Sequence, residues 1–195
     1  MKDSYYSREE LTEIGLKIPI TMGDNIKISR KCSIYTADVV IRGENVRIDD
    51  FCFLSGHIEI GNYVHIAPYC LLNGKNGGIF LDDFVNIGSR VSIYSNSDNF
   101  SGDMMTGPLI PEEYKNVISG SVKIGRHCII GANSFIMPGV SVKEGNAFGA
   151  YSFIKSDADP WGIYVGIPAE RIKERSKKLL LLEANIPWIS RIPTF

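Results

Sequence analysis

Three histidines and four cysteines are the residues of this chain best able to bind metal or to act as strong bases and nucleophiles. Cys32, Cys52, Cys70 and Cys128 form no CxxC pair, and His57, His65 and His127 are widely spaced. A second concentration of chemistry lies in residues 95–121, where Asp98, Phe100, Met104, Met105, Tyr114 and Lys115 occur among Gly102, Pro108 and Pro111. A stretch this long without regular patterning is usually functional or disordered. Its mixture of Pro, Gly, Met and Tyr fits an ordered arm.

These residues must be held by what surrounds them, and that is a repeat. From Ile48 a large apolar residue returns every sixth position: Ile48, Leu54, Ile60, Ile66 and Leu72. An insertion within 75–78 shifts the register to Leu81, Ile87 and Ile93. After the arm the repeat resumes at Ile124, Ile130, Ile136, Val142, Phe148 and Ile154. The position four later is usually smaller, as at Cys52, Val64, Cys70, Val85, Cys128 and Ser134, and the position directly after the large residue is often Gly, Ala or Asp, as at Asp49, Gly61, Ala67 and Gly88. Residues two apart in a strand share a face, so Val64 and Ile66 point in while His65 and Ala67 point out. Short strands joined by two-residue corners, taken in threes, close a coil of about 18 residues, and stacked coils pair as parallel sheet.

Threading the hexads through three faces puts Phe53, Leu71, Ser92, Phe135 and Phe153 on one outward column. That column is too apolar for solvent and is expected to be a subunit interface, or else to be covered by the arm or the C-terminal helix. Arg47, His65 and Asn86 form another column, beside Ala67, Gly88, Gly131 and Gly149, a polar column next to a small one that leaves room for a ligand. The three histidines fall in different columns, so no zinc site is expected. The cysteines follow Ile28, Ile48, Ile66 and Ile124 by four residues, which makes them buried packing residues.

The chain has 195 residues with 21 Lys and Arg against 22 Asp and Glu. Without a basic excess, nucleic acid or an anionic membrane is not expected as the main partner. The longest aliphatic run is 179–182, too short for a signal peptide or membrane helix, so a cytoplasmic protein with reduced thiols is expected. The 27 isoleucines and 19 glycines favour short strands and turns over a helical bundle. Residues 7–10 (SREE) read as a capping box opening a short helix that ends at Gly15. The expected organisation is an N-terminal segment over 1–19, the coil stack over 20–160 with its loop at 95–121, and a C-terminal cap and tail over 161–195. A basic, Leu-rich helix over 169–184 would cap the stack.

The hexads, the arm after Ile93-Tyr94, the segment 129–134 (IIGANS) and 164–169 (YVGIPA) together resemble the acetyl-CoA-dependent hexapeptide-repeat acyltransferases. The resemblance implies an all-β fold, the left-handed parallel β-helix, with a handedness the spacing does not supply, and a homotrimer. Within that family 45–56 (NVRIDDFCFLSG) and 98–115 (DNFSGDMMTGPLIPEEYK) look most like the sugar-nucleotide N-acyltransferases of the anthrose and viosamine type, which acylate the amine of dTDP-4-amino-4,6-dideoxyglucose for surface polysaccharide. Maltose and galactoside acetyltransferases carry a general-base histidine five residues after the matching Ile; here Asp98 stands there. A hydroxyl acceptor needs an imidazole-like base, whereas a neutral amine is already a good nucleophile that a carboxylate can orient.

The resemblance therefore implies a catalytic role for Asp98. His65, pointing outwards beside Asn86 near the start of the arm, is a second catalytic candidate from the same or a neighbouring subunit, with Asn86, Tyr94, Tyr114 and Lys115 expected at the sugar nucleotide. Acetyl-CoA would lie along Gly88, Gly131, Ala132, Gly149 and Ala150, closed over by Gly166 and Pro168, with Arg171 and Lys173 at its phosphates. Two alternatives stay open on sequence: an O-acetyltransferase of lipopolysaccharide or galactoside type, and a non-catalytic β-helix scaffold.

Overall fold

The computed structural model describes residues 4–18 and 25–186. Within them the chain winds into a left-handed parallel β-helix of seven stacked coils. Its first face stacks Ile26–Ile28, Val46–Ile48, His65–Ile66, Asn86–Ile87, Ile129–Ile130, Ala147–Phe148 and Gly162–Val165 in parallel register. The strands Ser33–Ile41, Phe53–Ile60 and Leu71–Leu81 each span the second and third faces, with register shifts where the first two turn the corner against their neighbours. Ser92–Tyr94, Phe135–Ile136 and Phe153–Ile154 continue the second face, while Val122–Ile124 and Ser141–Val142 continue the third.

All fourteen apolar positions of the repeat are at most 4 % exposed, so the six-residue period is the interior of the prism. The outward columns fall as the hexads require: Phe53, Leu71, Ser92, Phe135 and Phe153 stack in register on the second face, and Arg47, His65 and Asn86 on the first. The four cysteines are buried, free thiols. They also donate: Cys32, Cys52 and Cys70 reach the carbonyls of Asp49, Ala67 and Gly88 one coil along at 3.1 to 3.2 Å, as Ser134 reaches Gly149. Burial pushes the Cys128 thiol up to about 12, which keeps it unreactive.

The corners are where the pattern was least transparent. Non-glycine residues at Phe51, Tyr63, Tyr69, Phe84, Arg90, His127, Asn133, Tyr151 and Trp161 have φ of 59 to 64° or, at Tyr63, 55°. Left-handed backbone costs an L-residue roughly 1–2 kcal/mol. Here stacking from coil to coil offsets it, with ring centroids at 4.9 Å for Tyr63 and Phe84, 4.8 Å for Phe84 and His127, and 5.0 Å for Phe51 and Tyr69.

The ends differ in their agreement with sequence. Ser7 caps the helix Arg8–Glu13 with both halves of a capping box, and Leu11 plugs the core. The expected start of the stack near residue 20 lies outside the described residues, as does the tail from 187. The helix expected over 169–184 is corrected. Glu170–Glu174 is a strand that pairs antiparallel with Gly162–Val165, and only Leu179–Glu183 is helical. The last coil has an open edge, and a returning strand satisfies its backbone groups where a helix could not. Arg175 then donates to the carbonyls of His127, Gly145 and Asn146 at 2.6 to 3.2 Å, clamping the segment onto the corners.

Candidate active site

The arm leaves the prism after Ser95, whose buried hydroxyl donates to the carbonyls of Asn73 and Lys75. It is an ordered projection founded on a two-stranded antiparallel ladder, Asn96–Asp98 against Val117–Ser119, with a 3-10 turn over Glu112–Tyr114. The insertion at 75–78 packs under its base, where a side chain on Gly77 would meet Gly120 and Ser95 backbone within 3.0 Å. Two interruptions of the repeat thus meet at one place.

Between them opens a cleft of about 600 Å³ lined by Asn73, Lys75, Asn76, Tyr94, Asn96, Asp98, Phe100, Pro108, Lys115, Phe135 and Met137, among others. Asp98 lies within it. Its Oδ2 accepts the Gly107 N–H at 3.2 Å, which orients the carboxylate and leaves Oδ1 free for a ligand among the described residues. Tyr94 stacks on Phe135 at 5.2 Å and forms an apolar wall. The Lys115 side chain is only 8 % exposed and its Nζ pairs with Glu112 at 2.7 Å, so a cation is held at the cleft. The site is an apolar floor with a directed carboxylate and a fixed ammonium, suited to a polar ligand carrying both an amine and negative charge.

Of the site residues expected from sequence, the cleft gathers Asp98, Tyr94 and Lys115. Tyr114, 55 % exposed, sits beside Lys115 without lining it. His65 and Asn86 are on the first face and do not line the cleft of their own chain. His65 Nε2 meets Asp49 Oδ2 at 2.8 Å, and Arg47 Nε donates to Asp49 Oδ1 at 2.6 Å. Asn86 borders a separate groove with His127, Arg175 and Glu183. His127 is itself bonded to Glu183 at 2.7 Å and stacked on Phe84.

The glycine column has a different cause from the one expected. A Cβ on Gly88 would lie 2.7 Å from the Ala132 nitrogen, and one on Gly131 would collide with Gly149 and Ala150 backbone. These positions are glycine because the next coil occupies the space. Ala132 and Ala150 follow them on the same corner, half-buried and exposed respectively. Gly166 takes φ of 104° at the last coil, and Pro168 lines a groove with Phe148, Lys155 and Tyr164. Arg171 is engaged with Glu174 at 2.8 Å and with the Pro160 and Trp161 carbonyls, while Lys173 is exposed on the returning strand.

Sequence reasoning missed Asn73, Lys75, Asn76, Asn96 and Met137. Lys75 and Asn76 carried a signal, because they are the residues that break the six-residue period. No group of His, Cys, Asp and Glu among the described residues could hold a metal ion.

No protein-family model matches the chain. It is 48 % identical over 184 residues to the dTDP-4-amino-4,6-dideoxy-D-glucose acyltransferase of Escherichia coli, an alignment covering 93 % of this chain and 94 % of that one. The chain belongs to this acyltransferase family. Its fold agrees with AntD, an N-acyltransferase from Bacillus cereus solved with dTDP and 3-hydroxybutyryl-CoA, at a TM-score of 0.87 and 48 % identity over 93 % of this chain and 95 % of AntD. A serine-to-alanine variant of AntD, solved with dTDP-4-amino-4,6-dideoxyglucose and coenzyme A, matches at the same TM-score and identity, over 93 % and 96 %. As a family member the chain is an acyltransferase.

Proposed function

We propose that this acyltransferase moves an acyl group from acetyl-CoA or a related acyl-CoA to the 4-amine of dTDP-4-amino-4,6-dideoxyglucose or a close analogue. The placement of Asp98 carries this reading. It is a carboxylate fixed on one oxygen by Gly107 within the arm cleft, where sugar hydroxyl acylation would call for an imidazole. In the reaction the amine nitrogen attacks the thioester carbonyl carbon, the C–S bond breaks, and the proton lost by nitrogen passes to Asp98 while the thiolate leaves. Lys115 would counter the nucleotide's phosphates or the Glu112 carboxylate that now holds it.

The experiment is thiol release from acetyl-CoA with and without dTDP-4-amino-4,6-dideoxyglucose. A sugar-dependent rate is expected; equal rates would reject the acceptor. Asp98→Asn should lower kcat/KM by about a hundred-fold or more while leaving the affinity for CoA unchanged. Wild-type kinetics in that variant would remove Asp98 from the site.

The reading extends to assembly and place. A homotrimer is supported by the apolar second-face column and by exposed aromatics on the adjoining corner, with Phe51, Tyr69 and Tyr151 49 to 65 % exposed. It would bring His65 and Asn86 of one chain, and the acyl-CoA track along Gly131, Ala132, Gly149 and Ala150, towards another chain's arm. Sedimentation should give three times the chain mass, and a monomer mass would reject it. No helix among the described residues is long and apolar enough to cross a membrane, which suits a cytoplasmic step supplying a sugar for surface polysaccharide.

A further inference from the structure

Asn96 is an unsatisfied polar residue beside the reacting centre. It lines the arm cleft, yet its Oδ1 is shut off from solvent and accepts no hydrogen bond among the described residues. A buried acceptor without a donor is uncommon because it forfeits its hydrogen bonds to water and gains none in return. The backbone explains the placement but not the missing partner. Asn96 and Asp98 stand two apart on one short strand, paired in register with Ser119 and Val117, so their side chains leave the same side of the ladder. The Asn amide torsion is soft, and the residue already borders the cleft.

The chemistry beside Asp98 selects what Asn96 can take. On the proposed acceptor, one ring carbon next to the aminated one bears a hydroxyl, and the other bears a methyl group and the ring oxygen. Of these neighbouring substituents only the hydroxyl can donate to a lone amide oxygen. The methyl group suits the wall formed by Tyr94 and Phe135. Resting on the acceptor assignment above, we infer that Asn96 is a specificity-determining residue, whose Oδ1 accepts the 3-hydroxyl of the sugar while Asp98 holds the neighbouring amine. This pairing also fixes which way round the sugar lies, with the methyl carbon towards the aromatic wall.

The test crosses enzyme and substrate. Wild type and Asn96→Ala are assayed by thiol release on dTDP-4-amino-4,6-dideoxyglucose and on its 3-deoxy analogue. Wild type should use the 3-deoxy sugar about ten-fold less well in kcat/KM. Asn96→Ala should lose about the same factor on the hydroxylated sugar and change the 3-deoxy rate by less than about two-fold. Equal losses on both sugars in the variant would overturn the inference, assigning Asn96 to folding or to contact with a partner subunit. So would wild type using both sugars alike, a result that needs no variant to fold. If wild type acylated neither sugar, the acceptor assignment itself would fall and the Asn96 contact with it, an outcome distinct from the others.

Discussion

The stacked coils and the arm are built on opposite principles. In the coils every position is set by its neighbours one turn above and below. Inward residues are aliphatic, corner glycines yield to the next coil's backbone, and small side chains donate to the next corner carbonyl. In the arm the period is gone and many side chains are exposed; among the described residues Asn96 Oδ1 has no partner there, as the buried Tyr63 hydroxyl has none at a coil corner. The difference separates two kinds of free energy. The inward positions of the coils serve folding, and the arm holds polar groups at a cleft. Mutations should therefore sort by position, with stability effects at the inward coil positions and kinetic effects in the arm and at the outward coil residues that line its cleft.

The strongest test of that division is a cavity in the middle of the stack. Ile87 is fully buried on the first face, between Ile66 and Ile130. Ile87→Ala should cost about 2–5 kcal/mol, read as a lower midpoint in urea denaturation. The folded fraction should keep its kcat, since Ile87 does not line the cleft. A drop in kcat with unchanged stability would break the comparison.

A smaller test asks whether the small inward residues only pack or also donate. Cys70 Sγ reaches the Gly88 carbonyl at 3.1 Å, where a later coil uses Ser134 for the same bond to Gly149. Cys70→Ala should lose about 1 kcal/mol, whereas Cys70→Ser, keeping a donor, should lose about half as much or less. Equal losses in urea melts would make the position one of packing alone.

The coils were legible in sequence because burial writes the same letter at a fixed interval. The period alone assigns Ile48, Ile66 and Ile87 to one face, and Arg47, His65 and Asn86 to its outside. The arm offered only composition. Asp98 was found through likeness to relatives, and Asn96 was not found, because nothing in the letters shows that an amide lacks a partner. The aromatic corners were hidden for another reason. Tyr63, Phe84 and His127 occupy left-handed backbone that their residue types disfavour, and only stacking across distant coils makes it tolerable. The returning strand Glu170–Glu174 was mistaken for helix because its pattern is set by the edge it must cover, and that edge belongs to another part of the chain.

The smallest effect concerns pH and sharpens the same contrast. His57 stands at the corner between the second and third faces, with Nδ1 3.0 Å from Asp38 and Nε2 2.9 Å from Glu59. Lys17 and Arg42 approach the same carboxylates, at 2.7 Å from Asp38 and 3.0 Å from Glu59, so the group is a small ion network rather than an isolated pair. Partial burial works against the charged imidazole, but the bonds to Glu59 and then Asp38 outweigh it and hold the pKa above its ordinary value. Because the folded value is raised, the stabilisation is fully present below the unfolded pKa of about 6.5 and is lost as pH rises through the folded value. With the ring 36 % exposed, solvent screening should keep the change below about 1 kcal/mol. Urea midpoints measured from pH 6 upwards should fall slightly in wild type and not in His57→Gln. The kcat profile over the same range should be identical in the two proteins, since His57 lies outside the cleft. A kinetic profile that moved with His57 would join a corner outside the cleft to the chemistry and end the division between packing positions and the site.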